Sequence, residues 1–174
     1  GRVSELHAVK VEWLNEGGID GAALSQPVFL GHDDADEAAA SNDDLIEVVE
    51  AHDELYGLAA IPTAAGGDVA AEEFERCLDA GLHGGALETM SDGVDLLDPE
   101  VEPIFEVADR TGAPIQVHIT PDDSFGDGAF DDRWRLNAIF GREAAQCVSI
   151  FKLIHEGVFD EYPNLTLVYH HLGG

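Results

Sequence analysis

Two kinds of segment alternate along the chain: short runs of apolar residues, and longer stretches in which apolar residues recur at helical spacing. Five runs rich in β-branched or small apolar residues predict buried strands. These runs are residues 19–25, 55–62, 82–89, 113–120 and 165–169. Because a helical pattern lies between each run and the next, the order predicts βα units with right-handed crossovers and a parallel sheet.

The stretches between the apolar runs carry apolar residues at helical spacing. They predict helices over residues 3–16, 41–53, 68–80, 97–110 and 136–155. Ser41 to Asp44 are expected to cap the second helix, Asp68 the third, and Asp98 with Pro99 the fourth. Residues 121–135 form the longest irregular stretch, and loops of that length at the carboxyl face of a barrel usually line a site.

The residues that follow the predicted strands distinguish between two parallel folds. No Gly-rich phosphate loop follows any of them, which argues against a nucleotide-binding doubly wound sheet. The strand ends instead carry Gln26-Pro27, Pro62-Thr63, Glu88-Thr89, His118 and His170-His171. These side chains favour a barrel that holds a metal and a small acid.

Histidines end two of the five predicted strands. His118 ends the fourth strand, and His170 and His171 end the fifth. Carboxyl ends of parallel barrel strands surround one point, so we expect these histidines to face one site. The alternative for each strand is a histidine that hydrogen-bonds a loop carbonyl. The repetition on two strands favours the site.

The charge is strongly acidic along the whole length. Asp and Glu number 36 against 8 Lys and Arg, for a formal net charge of −28. Such a surface needs counterions and is typical of proteins from salt-accumulating extreme halophiles, although an ordinary acidic cytosolic protein is the alternative. It makes nucleic acid and anionic membranes poor partners. No run of about 18 apolar residues predicts a membrane span.

Two cysteines, Cys77 and Cys147, lie in predicted helices and lack the spacing of a metal site. We expect buried thiols in a reducing compartment, and hence a cytoplasmic protein.

The closing segment, residues 157–174, reads GVFDEYPNLTLVYHHLGG. It resembles the segment of the metal-dependent amidohydrolase-related family in which Tyr-Pro precedes an apolar strand ending in His-x-Gly-Gly. That family includes aminocarboxymuconate-semialdehyde and γ-resorcylate decarboxylases. LYGLAAIP, GLHGGALET and PIQVHIT agree with it in order, as does Asn42-Asp43 before a helix.

The resemblance implies an α/β fold, the (β/α)8 TIM barrel of metal-dependent hydrolases. On this alignment residues 1–174 are one partial domain holding about strands two to six. His118 would be the metal ligand of the fifth strand, and His171 the catalytic histidine of the sixth. His170 would turn to the opposite side of its strand and pack there. The metal would be Zn²⁺, with Mn²⁺ as the alternative.

The His-x-His pair, the final Asp and strands one, seven and eight of the family pattern are not in these residues. We therefore expect a piece of a longer protein, inactive by itself because one ligand does not hold a metal. The resemblance implies a decarboxylase or hydrolase of a small carboxylated aromatic or muconate-like substrate. A lactone hydrolase or hydratase, or a non-catalytic truncated barrel, is the alternative. A homodimer is expected.

Three further residues are candidates for binding the substrate. Glu88 ends a strand and is expected to face the site, where it would contact the substrate or a metal ligand. A salt bridge from Glu88 to a neighbouring loop is the alternative. Arg133 and Arg135, with Arg142, would bind a substrate carboxylate. The alternative for the arginines is that they neutralise the nearby Asp-Asp pairs.

Overall fold

The computed structural model describes residues 11–12, 14–27, 30–120, 134–136 and 140–170. Its centre is a five-stranded parallel sheet, in the order β1-β2-β3-β6-β7. The strands are β1 (Ala22–Leu24), β2 (Leu55–Ala60), β3 (Gly84–Glu88), β6 (Ile115–His118) and β7 (Leu167–Tyr169). All five predicted strands are confirmed, each shorter than predicted, and all four pairings between neighbours are parallel.

The helices follow the strands as predicted. They are α1 (Ala35–Glu50), α2 (Gly67–Asp79), α3 (Glu102–Thr111), α4 (Arg142–His155) and the short α5 (Val158–Glu161). Of the predicted first helix, residues 11–12 and 14–16 are described and helical, and the helix continues to Gly17. Within the described residues, no helix has the length and apolar character needed to cross a membrane.

The predicted start of α1 is wrong. The helix begins six residues earlier, because Asp34 is its N-cap and accepts hydrogen bonds from the backbone N–H groups of Asp36 and Glu37. Asp68 likewise lies in the first turn of α2, not at its cap, which is Gly66. Asp98 does cap its helical turn, accepting from Glu100 N.

Asn42, predicted as part of a cap, is instead a fully buried side chain in the middle of α1. Its Oδ1 accepts from Ala60 N at 2.8 Å and its Nδ2 donates to Ala60 O at 3.1 Å. Strand β1 pairs with β2 only as far as Gly57, so the Asn42 amide takes the place of a missing strand partner for Ala60. It secures the carboxyl end of β2.

A small antiparallel hairpin that the apolar pattern did not predict follows β3. It consists of β4 (Met90–Ser91) and β5 (Val94–Asp95). Asp92 and Gly93 form its turn, both with positive φ, as two-residue hairpin turns require. The hairpin lies directly after the carboxyl end of β3.

The two faces of the sheet differ in what covers them. Alternate residues such as Leu87, Ile115 and Val117 belong to the main core, which they form with buried residues of α2 and α3. The residues between them, such as Ala86 and Ala60, belong to a separate small cluster with Leu30 and Leu58. In a closed barrel this second face is the interior. Within the described chain, Tyr56 and Val168 on that face are 47% and 50% exposed.

Candidate active site

The site is built where β3 and β6 end side by side. Glu88 and His118 are the last residues of these strands and are directly opposite each other in the parallel register. They alternate with Leu87 and Val117, which face the helices, so both side chains lie on the inner face. His118 Nδ1 is 3.9 Å from Glu88 Oε1. The structure therefore brings Glu88 and His118 to the same end and the same face of the sheet.

Thr89 joins the two strand ends. Its backbone N–H donates to the carbonyl of His118 at 2.9 Å. Its hydroxyl accepts from Thr120 N at 3.2 Å and donates to the Thr120 carbonyl at 3.3 Å. The backbone on both sides of His118 is thus fixed to β3. Sequence reasoning missed Thr89, whose only signal was its position one residue after Glu88.

Burial makes Glu88 a weaker acid than usual. Its side chain is 22% exposed and that of His118 31%. Removal from water disfavours the carboxylate, and this burial raises the pKa of Glu88 above its ordinary value. A partly desolvated carboxyl beside an imidazole at a strand end is a common feature of functional sites.

His170 also lies at this site, contrary to the prediction that it turns to the other side of its strand. Tyr169 points toward the helices, where its hydroxyl is 3.0 Å from Ser149 Oγ of α4. The next residue therefore points to the inner face. Val117 pairs with Tyr169, which brings His170 opposite His118. Their ring centroids are 5.5 Å apart with the planes at 71°.

Strand β7 is attached to α4 by the phenol hydroxyl of Tyr169, which is 3.0 Å from Ser149 Oγ. Burial raises the pKa of Tyr169 to about 12, and the hydrogen bond with Ser149 opposes that change only in part. The hydroxyl therefore stays neutral over the physiological range. It keeps β7 attached to α4 with His170 on the inner face.

Of the other predicted site residues, the structure describes only Arg135 and Arg142. His171 and Arg133 lie outside the described residues. Arg135 is exposed, with a left-handed backbone at φ 56°. Within the described ranges no contact joins Arg135 to Glu88 or His118, and Arg142 is half-buried at the start of α4.

The donor set fits part of a divalent metal site. Imidazole nitrogen and carboxylate oxygen are donors that Zn²⁺ and Mn²⁺ accept. The site offers both, since the half-buried imidazole of His118 lies beside the carboxylate of Glu88. In the part of the chain that the structure describes, no group of three or more His, Cys, Asp or Glu side chains is arranged to hold a metal. His118 and Glu88 alone would therefore supply only a portion of a complete coordination sphere.

Comparison with curated proteins gives relatives of one chemical class. The chain is 32% identical to 2-amino-3-carboxymuconate-6-semialdehyde decarboxylase of Dictyostelium discoideum, over 95% of the chain and 47% of the relative. It is 26% identical to γ-resorcylate decarboxylase of Rhodococcus jostii, over 99% of the chain and 57% of the relative. The chain spans about half the length of the curated relatives it matches.

Solved structures agree with the predicted fold. The chain superposes on dihydroxybenzoic acid decarboxylase from Polaromonas sp. JS666 with a TM-score of 0.80 and 25% identity, covering 94% of the chain and 54% of that structure. That structure contains manganese and the inhibitor 2-nitroresorcinol. The match confirms that the parallel sheet is an incomplete (β/α)8 barrel.

A family model matches most of the chain, and the extent of that match identifies the family. A match to the amidohydrolase family model extends over residues 18–174, and so includes every strand of the sheet and both histidines of the described site. The fold and the relatives agree with that match. The chain therefore belongs to the amidohydrolase family.

Proposed function

We propose that the protein containing this chain is a metal-dependent, non-oxidative decarboxylase of a small carboxylated aromatic or muconate-like substrate. The observation that carries the proposal is the position of His118, half-buried beside Glu88 at the carboxyl edge of the sheet. The decarboxylases to which the chain is similar support the choice of reaction.

The roles of the residues follow from their chemistry. His118 would hold the divalent ion together with ligands from outside the described residues. When bound, the ion would supply Lewis-acid polarisation of a substrate oxygen. Zn²⁺ is the proposed ion. Mn²⁺ is the alternative, which the manganese in the Polaromonas structure supports.

The proton is the second requirement of decarboxylation. The bond between the substrate carbon and its carboxylate breaks, the electron pair stays on that carbon, and CO₂ leaves. We assign the proton that replaces CO₂ to His171, whose imidazole would act as a general acid. Arg133 and Arg135 would bind substrate carboxylate. Glu88, beside His118, would orient that imidazole or contact the substrate.

The experiment uses the complete natural protein that contains this chain. After removal of bound metal and reloading with Zn²⁺ or Mn²⁺, CO₂ release is measured from γ-resorcylate and from aminocarboxymuconate semialdehyde. We expect H118A to lose bound metal and activity together. We expect H171A to keep its metal while kcat falls by about 10²–10⁴-fold, the range for a positioned acid–base group.

His155 provides a control, since it is exposed at the end of α4, where its ring stacks on that of Phe151. H155A should match the wild type in metal content and kcat. A wild-type protein that neither binds metal nor releases CO₂ contradicts the proposal. If H171A loses metal as completely as H118A, His171 is a ligand and its assignment as the acid is wrong.

The chain's location and assembly remain predictions. Neither Cys77 nor Cys147 is in a disulfide in the structure described, which supports a reducing compartment such as the cytoplasm. The homodimer is to be checked by sedimentation of the complete protein.

A further inference from the structure

We infer that His170 is a positioning residue of the His118 site, where its ring holds the His118 imidazole by edge-to-face contact. The inference rests on the proposed function, because it concerns the orientation of a proposed metal ligand. Nothing in the closing sequence motif distinguishes this role, since the motif assigns the catalytic histidine to the next position, His171.

His170 lies on the inner face of the sheet, the same face as His118. Tyr169 is fixed to α4 through Ser149, so the alternation of the strand turns His170 inward. Its ring centroid is 5.5 Å from that of His118, with an interplanar angle of 71°. That separation and angle are those of a favourable T-shaped ring pair.

The His118 ring has a neighbouring side chain from each of the two adjacent strands. Strand β6 lies between β3 and β7 in the sheet. Glu88 of β3 approaches from one side, with its Oε1 3.9 Å from His118 Nδ1, and His170 lies against the ring from the other. The backbone of His118 is itself bonded to Thr89. With a neighbour on each side and its backbone bonded to β3, we expect this imidazole to rotate less than it would without the His170 ring.

A restricted ligand binds metal more tightly than a mobile one, because its rotational freedom is already lost before the metal arrives. Removal of the His170 ring should therefore weaken metal binding even though His118 is intact. Replacement by another flat ring of similar size should preserve it. This contrast separates a ring contact from a metal–nitrogen bond, which a phenyl group cannot form.

The test measures the Kd for Co²⁺ and Zn²⁺ by chelator competition on the complete protein. We expect H170A to weaken binding by about 10-fold, the lower end of the range for residues that support a ligand. H170F should stay within about threefold of the wild type, an amount that retained ring contact permits. H83A is the matched control: His83 also makes an edge-to-face pair, with Tyr56 at 4.9 Å, but it precedes β3 at the opposite end of the sheet. It should leave Kd unchanged.

Two results would overturn the inference. If H170F binds metal as weakly as H170A, the imidazole nitrogen and not the ring contact is needed, and His170 is a ligand. If H170A binds as tightly as the wild type, His170 has no part in positioning. Should H170A fail to fold, H170F still decides between ring contact and ligation.

A second measurement does not depend on metal. Crystal structures of the metal-free wild type and H170A should show one orientation of the His118 ring in the wild type and more than one in the variant. A single, unchanged orientation of the His118 ring in H170A would contradict the positioning role, whether or not the protein binds metal. Failure of the proposed function would appear separately, as a wild type with no metal affinity.

Discussion

The substitution N42A removes the amide that completes β2. Asn42 is fully buried and makes three hydrogen bonds, two with the backbone of Ala60 and one, from Nδ2 to Glu73 Oε1, of 2.7 Å. Ala60 is itself fully buried. In the variant, its N–H and C=O have no partner from α1, and water does not reach them without a change in packing.

The size of the effect follows from those two orphaned groups. Leaving a buried donor or acceptor without a partner costs about 1–3 kcal/mol. Two such groups give an expected loss of about 2–6 kcal/mol in the free energy of unfolding. Because whole domains are stable by only about 5–15 kcal/mol, this is a large fraction.

The assay is urea unfolding of the complete protein followed by circular dichroism in molar KCl. D43A is the matched control, since Asp43 is the next residue, has a side chain 64% exposed and bonds Arg76 on the surface. Its loss should be less than about 1 kcal/mol, as for exposed ion pairs. If N42A also loses less than about 1 kcal/mol, the idea that Asn42 replaces a strand partner is wrong.

Two further predictions concern charge. With 36 acidic residues against 8 basic ones, the protein should lose circular dichroism signal as KCl falls from molar levels to about 0.1 M, where the Debye length reaches about 10 Å; an unchanged spectrum would refute the halophilic interpretation. Burial alone would raise the pKa of Glu73, but hydrogen bonds from Arg76, Asn42 and Cys77 lower it below its usual 4.5. The stability that Glu73 contributes is present above pH 4.5 and is lost as the pH falls through the lowered folded-state pKa. The difference in unfolding free energy between wild type and E73Q should therefore shrink below pH 4.5, and a constant difference would contradict this assignment.

Local patterns were sufficient for the elements and for much of the site. The apolar runs predicted all five strands, because a buried strand in a parallel sheet needs apolar side chains on both faces. His118 was recognisable as a strand-end histidine, and its neighbour Glu88 as another strand-end residue, from their own segments. The acidic composition is likewise a property of the sequence alone.

The role of Asn42, which the sequence misplaced, depends on a contact between distant segments. Asn42 resembles a cap in its own neighbourhood, but it bonds Ala60 because β1 ends too early to do so. The start of α1 at Ala35, in contrast, is set locally by the Asp34 cap, whose side chain accepts from Asp36 N and Glu37 N.

By itself the sequence determined the strands, the helices between them, the acidic surface and the strand-end position of His118. Only the tertiary structure decided which side chains share a face with His118. The direction of His170 depends on where Tyr169 is anchored, and that anchor is a bond to Ser149, twenty residues earlier in the chain. Spacing along one strand specifies alternation, but the registration of neighbouring strands and the packing of their helices specify which face is inward.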